Sequence, residues 1–426
     1  MITMRLSPFF FRIVFLFLLF NNSFIKAQTN FLSEIGATDS LYSNTLKEQR
    51  KIWIDLPQNY NDNSSYPVVY IIDGEMHLPT VSVLQNYYSG GFFPEMILVG
   101  ISNQQNRTRD LTISKITNRQ GGAFAQETGG ADKFTEFIAK ELIPYIEKKY
   151  PTTTYRTLIG HSFGGLFAIN TLVHYPHLFT NYLAIDPSLD WDNQKLIKEA
   201  EEVLKNTKLN NKALFISLGG QLHMQRNDIT LENIMNDTSD YTLFGRSNLV
   251  FTELAKAHQK NGLKTTWKFY EKDFHGTISF PSIRDGMISF FDWYEIKDTH
   301  KFNDPNTSTS ELLKIIKNQE ERYEKHFGYF TPPFDEGLLN MSGAMFLEMG
   351  QTEKSLAFFE LAAKYYPQSA NAYDALAEFY ASQKDYSKAL ENATKAYHID
   401  KSEALSKKIA DYKALLKKSK KQVKNG

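Results

Sequence analysis

Cysteine is absent from the 426-residue chain. Disulfides, thiolate metal sites, a thiol nucleophile and a lipid-bearing cysteine are therefore all excluded. Nor is there a surplus of charge of either sign. Lys+Arg and Asp+Glu are both 48, for a formal net charge of zero, and that balance argues against a nucleic-acid partner, whose binders carry a basic excess. Bilayer-spanning length is also lacking. The apolar run "IVFLFLLF", residues 13–20, falls well short of the ~20 residues a spanning helix needs. Arg5 and Arg12 carry positive charge ahead of or beside it, and a short polar stretch ends at Ala27. That order predicts a cleaved export signal over residues 1–27. The mature chain is then expected in a periplasm or outside the cell, with no membrane span. A chain of this size can do without staples because its core is large.

What is present is ordinary globular material, 42% hydrophobic and 23% charged, enough for two or three domains. Short runs rich in β-branched and aromatic residues read as strands at 50–57, 66–73, 96–102, 156–160, 182–186, 213–219 and 265–271. Several are apolar throughout, as strands covered on both faces are. Helical spacing appears between them. In "ADKFTEFIAKELIPYIEKKY", Phe134, Phe137, Ile138, Leu142 and Ile146 share one face behind a candidate Asp132 cap. The alternation predicts an α/β fold, a doubly wound, mostly parallel sheet with helices on both faces.

The character changes near "KDTHKFNDPNTST" (297–309), a polar stretch with Pro305. A linker is expected over 298–310, separating a first domain over 28–297 from a small all-α region over 311–426. In that region Gly343, Phe346, Phe359, Ala362 and Pro367 have counterparts 34 residues later at Ala377, Tyr380, Ala393, Ala396 and Lys401. The period is that of tetratricopeptide repeats, with about two visible. These repeats are the expected surface for any protein partner. The tail "LLKKSKKQVKNG" is basic and reads as a solvated helix end.

"TLIGHSFGGLFAI", residues 157–169, turns from strand to helix through a Gly-x-Ser-x-Gly corner. Such a corner exposes a strained serine above the sheet, and the helix start beyond it favours developing negative charge. Ser162 is the candidate nucleophile. A serine hydroxyl needs a base, and the order along the chain in this setting is Ser, acid, His. His275 follows the last strand-like run directly and is preferred over His223 and His258. The acid is sought after "ALFISLG", where Asp228 is the first choice and Asp237 the second, with Glu232 and Asp240 also available; none stands directly after that run. Oxyanion donors are expected at the amides of Phe163, next to the nucleophile, and of Glu75, in the "DGEM" corner.

Residues 45–295 resemble the putative-esterase (esterase D-like) family of α/β-hydrolases, most closely its enterochelin-type siderophore esterases. The matching stretches are "YPVVYIIDGE", "NRTRDLT", "GGADKFTEFIAKELIPYIEKKY", "RTLIGHSFGGLFA" and "AIDPSLDWD". The resemblance implies an α/β-hydrolase domain that hydrolyses a carboxylic ester, with Ser162 as nucleophile, His275 as base and the Glu75 and Phe163 amides as oxyanion donors. It departs from the family at Ile113, where Pro often stands, and at "GGQLHMQ", where Gln221 lies near the expected carboxylate. No metal or organic cofactor is required. The expected substrate is a small-molecule ester, a siderophore lactone or a carbohydrate-linked acyl ester among the options. Tyr87, Tyr88, Phe92, Phe93 and Trp191 are candidate cleft residues, and Arg107, Arg109 and Asp110 are expected to hold a loop by ion pairing. The rival reading is a non-catalytic binding protein that works through its repeats.

Overall fold

A computed structural model describes residues 35–62, 64–119 and 122–424. The expected leader, residues 1–27, lies outside the described residues. The chain divides into two compact units, Met1–Asp292 and Trp293–Gly426.

The first unit is built on an eight-stranded sheet. Its strands are β1 (Ala37–Ser43), β2 (Glu48–Asp55), β3 (Tyr66–Ile72), β4 (Ile97–Ile101), β5 (Thr152–His161), β6 (Asn181–Ile185), β7 (Lys212–Gly219) and β8 (Leu263–Tyr270). They lie in the order β1-β2-β4-β3-β5-β6-β7-β8. β2 pairs antiparallel with both β1 and β4, and every other pairing is parallel. All seven expected strands are present. β1, whose alternating exposure marks an edge, carries too little apolar signal to stand out in sequence. β3, β4 and β6 are buried at every position, as strands sandwiched between helices must be.

Helices cover both faces: α1 (Gly74–Tyr88), the short α2 (Arg107–Leu111), α3 (Ala131–Phe137), α4 (Ile143–Lys149), α5 (Phe163–His174), α6 (Trp191–Asn206), α7 (Leu243–Ala257) and α8 (Ser279–Phe290). Phe134, Phe137, Phe167, Tyr182 and Trp191 are among the fully buried side chains of the main core. The single helix expected over 131–150 is broken by a π-turn, Ile138–Leu142. Pro144 explains the break, because it has no N–H to return to the preceding turn and its ring crowds the carbonyl there. Asp132 is not the cap: Gly130 holds that place without a side-chain bond, and Asp132 instead accepts from the Tyr175 hydroxyl at 3.2 Å.

The second unit is helical: α9 (Thr309–Phe327), α10 (Glu336–Glu348), α11 (Thr352–Tyr365), α12 (Ala370–Ser382), α13 (Tyr386–Ile399) and α14 (Glu403–Lys424). The expected linker is partly ordered structure, with a 3-10 turn at Thr299–Phe302 and a capped helix start where Ser308 accepts from the Glu311 amide. The unit begins earlier than the expected linker because Trp293 and Tyr294 stack on His326 and Tyr323. α10 and α12 begin 34 positions apart, as do α11 and α13. A Cβ on Gly343 would come within 2.9 Å of the Phe359 ring, so a glycine lets α10 and α11 approach closely. Among the described residues no helix is long and apolar enough to cross a membrane.

Candidate active site

Three side chains meet at the carboxyl end of the parallel strands, where open α/β sheets place their chemistry. The first sits at the turn from β5 into α5. Ser162 has φ 61° and ψ −115°, a left-handed conformation that a non-glycine residue holds only when its surroundings over-determine it. The surroundings are tight: a Cβ on Gly160 would stand 2.1 Å from the Gly164 carbonyl oxygen. The Ser162 amide donates to the Ile185 carbonyl at 2.9 Å, and its carbonyl accepts from Leu166 and Ser188. The turn is thus pinned to β6 while the hydroxyl stays free to point at its partners.

The second is His275, in the loop between β8 and α8. Its Nε2 lies 3.0 Å from Ser162 Oγ and its Nδ1 lies 2.6 Å from Asp186 Oδ2. With Nδ1–H donating to the carboxylate, Nε2 is left as an acceptor for the serine proton. The Ser188 hydroxyl, 3.3 Å from Ser162 Oγ, is the other polar neighbour. The imidazole is 46% exposed whereas the Asp186 side chain is 3% exposed. One face of the base is therefore open to a ligand, and the acid is sealed beneath it.

Asp186 corrects the expectation for the acid. It follows β6, one strand earlier than expected, with φ 43°. Its amide donates to the Ser217 carbonyl at 3.0 Å, and its Oδ1 accepts from the Gly219 amide at 3.0 Å. β7 therefore ends in Gly219, which supplies an amide that orients the acid rather than the acid itself. Asp228 is 63% exposed and paired with Arg226 at 2.7 Å, far from this role. Asp237 accepts from the Ser239 amide and hydroxyl and from Thr242, which together hold its carboxyl at about 2, a local capping arrangement. His223 and His258 are likewise elsewhere, bonded to their own loop and helix. Asp186 did carry a sequence signal: it stands directly after the strand-like "YLAI", inside the "AIDPSLDWD" stretch.

Both expected oxyanion donors are first-turn helix amides, Glu75 in α1 and Phe163 in α5. Such amides have no intrahelical acceptor; the Glu75 amide faces its own carboxyl, which an oxyanion would replace. Two further imidazoles lie in a row with His275. His161 lies 4.5 Å from the His275 ring and 5.7 Å from His77. Burial, with His275, His77 and Arg107 nearby, lowers His161 to about 3, so it is neutral in ordinary buffers. Burial raises the Glu75 carboxyl, with Asp73 adding to the effect.

The expected aromatic cleft is not formed as a set. Trp191 and Phe93 are core residues, and Trp191 packs edge-on against Phe163 at 5.3 Å. Tyr87 and Tyr88 end α1, on the order of 20 Å along the helix from Gly74. Ion pairing does hold the 107–110 stretch: Arg50 and Arg109 both pair with Asp110 and Glu48. Donor atoms of His161, Asp186 and His275 all lie within 4.8 Å of one another, the one group among the described residues with the composition of a metal site. Two of these residues, His275 and Asp186, are already joined by their hydrogen bond.

The family model described as "Putative esterase" matches residues 43–236. The ferri-bacillibactin esterase BesA of Bacillus subtilis is 31% identical over 205 residues, 44% of this chain and 69% of its own length. The siderophore enterobactin esterase of Emericella nidulans is 30% identical over 179 residues, 38% of this chain and 56% of its own length. Among solved structures, an IroE-like serine hydrolase from Shewanella oneidensis superposes with a TM-score of 0.63 at 28% identity, over 78% of this chain and 99% of that one. Fold, site geometry and sequence agree: the chain belongs to the putative esterase family of α/β-hydrolases and is a carboxylic ester hydrolase.

Proposed function

We propose that this protein is an exported serine esterase acting through an acyl-enzyme on Ser162, with a siderophore-type ester as substrate. The observation that carries the reading is the continuous chain Ser162 Oγ–His275 Nε2 at 3.0 Å and His275 Nδ1–Asp186 Oδ2 at 2.6 Å. His275 takes the Ser162 proton as Oγ attacks the ester carbonyl, forming the C–O bond of a tetrahedral intermediate. The Glu75 and Phe163 amides receive the oxyanion. Collapse expels the alcohol, which leaves with the proton His275 held. Water then repeats the sequence and releases the acid. Asp186 keeps the imidazole in the productive tautomer and stabilises its charged form.

The substrate class rests on BesA and the Emericella nidulans enzyme, whose names specify siderophore esters. Export rests on the N-terminal pattern alone. The 34-residue spacing of the helix pairs in the second unit supports a tetratricopeptide-like role in binding a protein partner. Ser162→Ala should abolish both burst-phase release from an activated ester and labelling by a fluorophosphonate. Undiminished turnover in that variant would end the serine mechanism. Comparing a ferric trilactone siderophore with acetylated and feruloylated sugars tests the substrate class; preference for a sugar ester would replace it.

A further inference from the structure

We infer that Arg107 is a positioning residue that holds the two halves of the oxyanion hole in register. The inference rests on the serine mechanism proposed above. Arg107 Nε donates to both carboxylate oxygens of Asp73, at 3.0 and 2.9 Å. Its Nη2 lies 2.9 Å from Asp73 Oδ2 and also donates to the His161 carbonyl at 3.2 Å. Asp73 and His161 belong to different strand ends, β3 and β5. Each stands two residues ahead of a candidate oxyanion donor: Asp73 before the Glu75 amide, His161 before the Phe163 amide. One rigid guanidinium therefore ties both donor-bearing turns together, and its plane packs 5.5 Å from the centre of the Phe163 ring.

The turns need such a tie. Asp73 is 3% exposed and holds φ 52° with no side-chain capping bond to its own helix. Ser162, the residue after His161, also has positive φ. Two strained turns relax independently unless something over-determines them. An oxyanion hole works only when both donors aim at one point, and a misplacement of about 1 Å costs on the order of 10²-fold in rate. Lysine would keep the charge but not the fork that reaches a carboxylate and a carbonyl together.

The test compares Arg107→Met, Arg107→Lys and the double variant Asp73→Asn/Arg107→Met, with Ser162→Ala as control, on one activated ester. Removing Arg107 alone strands the buried Asp73 charge and lowers stability; the double variant removes that charge and should recover the melting temperature. Expected in all three Arg107 variants is a loss of kcat, at least tenfold for lysine and about 10²-fold for the other two. KM should stay within about twofold, and affinity for a boronic acid, which forms a tetrahedral serine adduct, should fall in parallel with kcat. Recovery of kcat together with stability in the double variant would reduce Arg107 to a structural ion pair and overturn the inference. So would a loss confined to KM, or full kcat in Arg107→Met. Activity persisting in Ser162→Ala would instead sink the serine mechanism itself.

Discussion

Asp186 shows how a single side chain acquires its role from three strands at once. β6 carries it, Gly219 at the end of β7 orients one oxygen, and His275 after β8 takes the other. Asp186→Asn leaves the shape intact but lets the imidazole settle in the wrong tautomer. The expected result is a fall in kcat of about 10⁴-fold with KM little changed, while Asp228→Asn, an exposed partner of Arg226, should leave steady-state kinetics at the wild-type level. His161 offers a test of stability rather than rate. Its native value is lowered to about 3 from an unfolded value of 6.5. Below pH 6.5 the unfolded chain therefore binds a proton that the native imidazole refuses, and stability falls as pH drops toward 3. His161→Phe should flatten that slope, shifting the acid-unfolding midpoint followed by circular dichroism to lower pH; an unchanged midpoint would contradict the assignment. The serine and histidine were legible in sequence because their signals are local, a strand–turn–helix corner and a loop after the last strand. The acid was not, because two successive strands each offer a place from which a carboxylate can reach the same imidazole.

At the scale of elements, the turn from β5 to α5 is the least tolerant part of the fold. Gly160→Ala would drive a Cβ to 2.1 Å from a backbone oxygen, and backbone cannot rotate away as a flexible side chain can. A cost of about 1–3 kcal/mol or more in urea unfolding is expected, with loss of turnover as Ser162 shifts. The loop holding α2 is secured differently. Arg50 is 4% exposed and Asp110 fully buried, with Arg109 completing the pairing. Arg50→Met leaves Asp110 with one cationic partner and should destabilise by about 3 kcal/mol, the lower end of the range for breaking a buried pair, since Arg109 remains. Strands were legible as elements because burial on both faces forces unbroken apolar runs. The π-turn at Ile138–Leu142 was not, because the apolar spacing of 131–150 is helical throughout and only the ladder around Pro144 fails.

At the scale of the molecule, all groups of the candidate site lie in the first unit, and the helical unit has its own core around Leu312, Phe346, Phe358 and Ala362. Phe358→Ala should cost about 3–5 kcal/mol in that core, visible in calorimetry, while kcat/KM on a small activated ester stays at the wild-type value. A parallel loss of ester hydrolysis would show that the units are coupled. The sequence by itself determined the α/β alternation with a helical region after it, and singled out Ser162 and His275 as the candidate nucleophile and base, because composition, periodicity and turn chemistry act over a few neighbouring residues. Only the tertiary structure decided which carboxylate faces His275, that Trp191 is core rather than cleft, and that Arg107 bridges two strand ends. Those depend on strand order and on the distances between turns far apart in the chain, which no local pattern encodes.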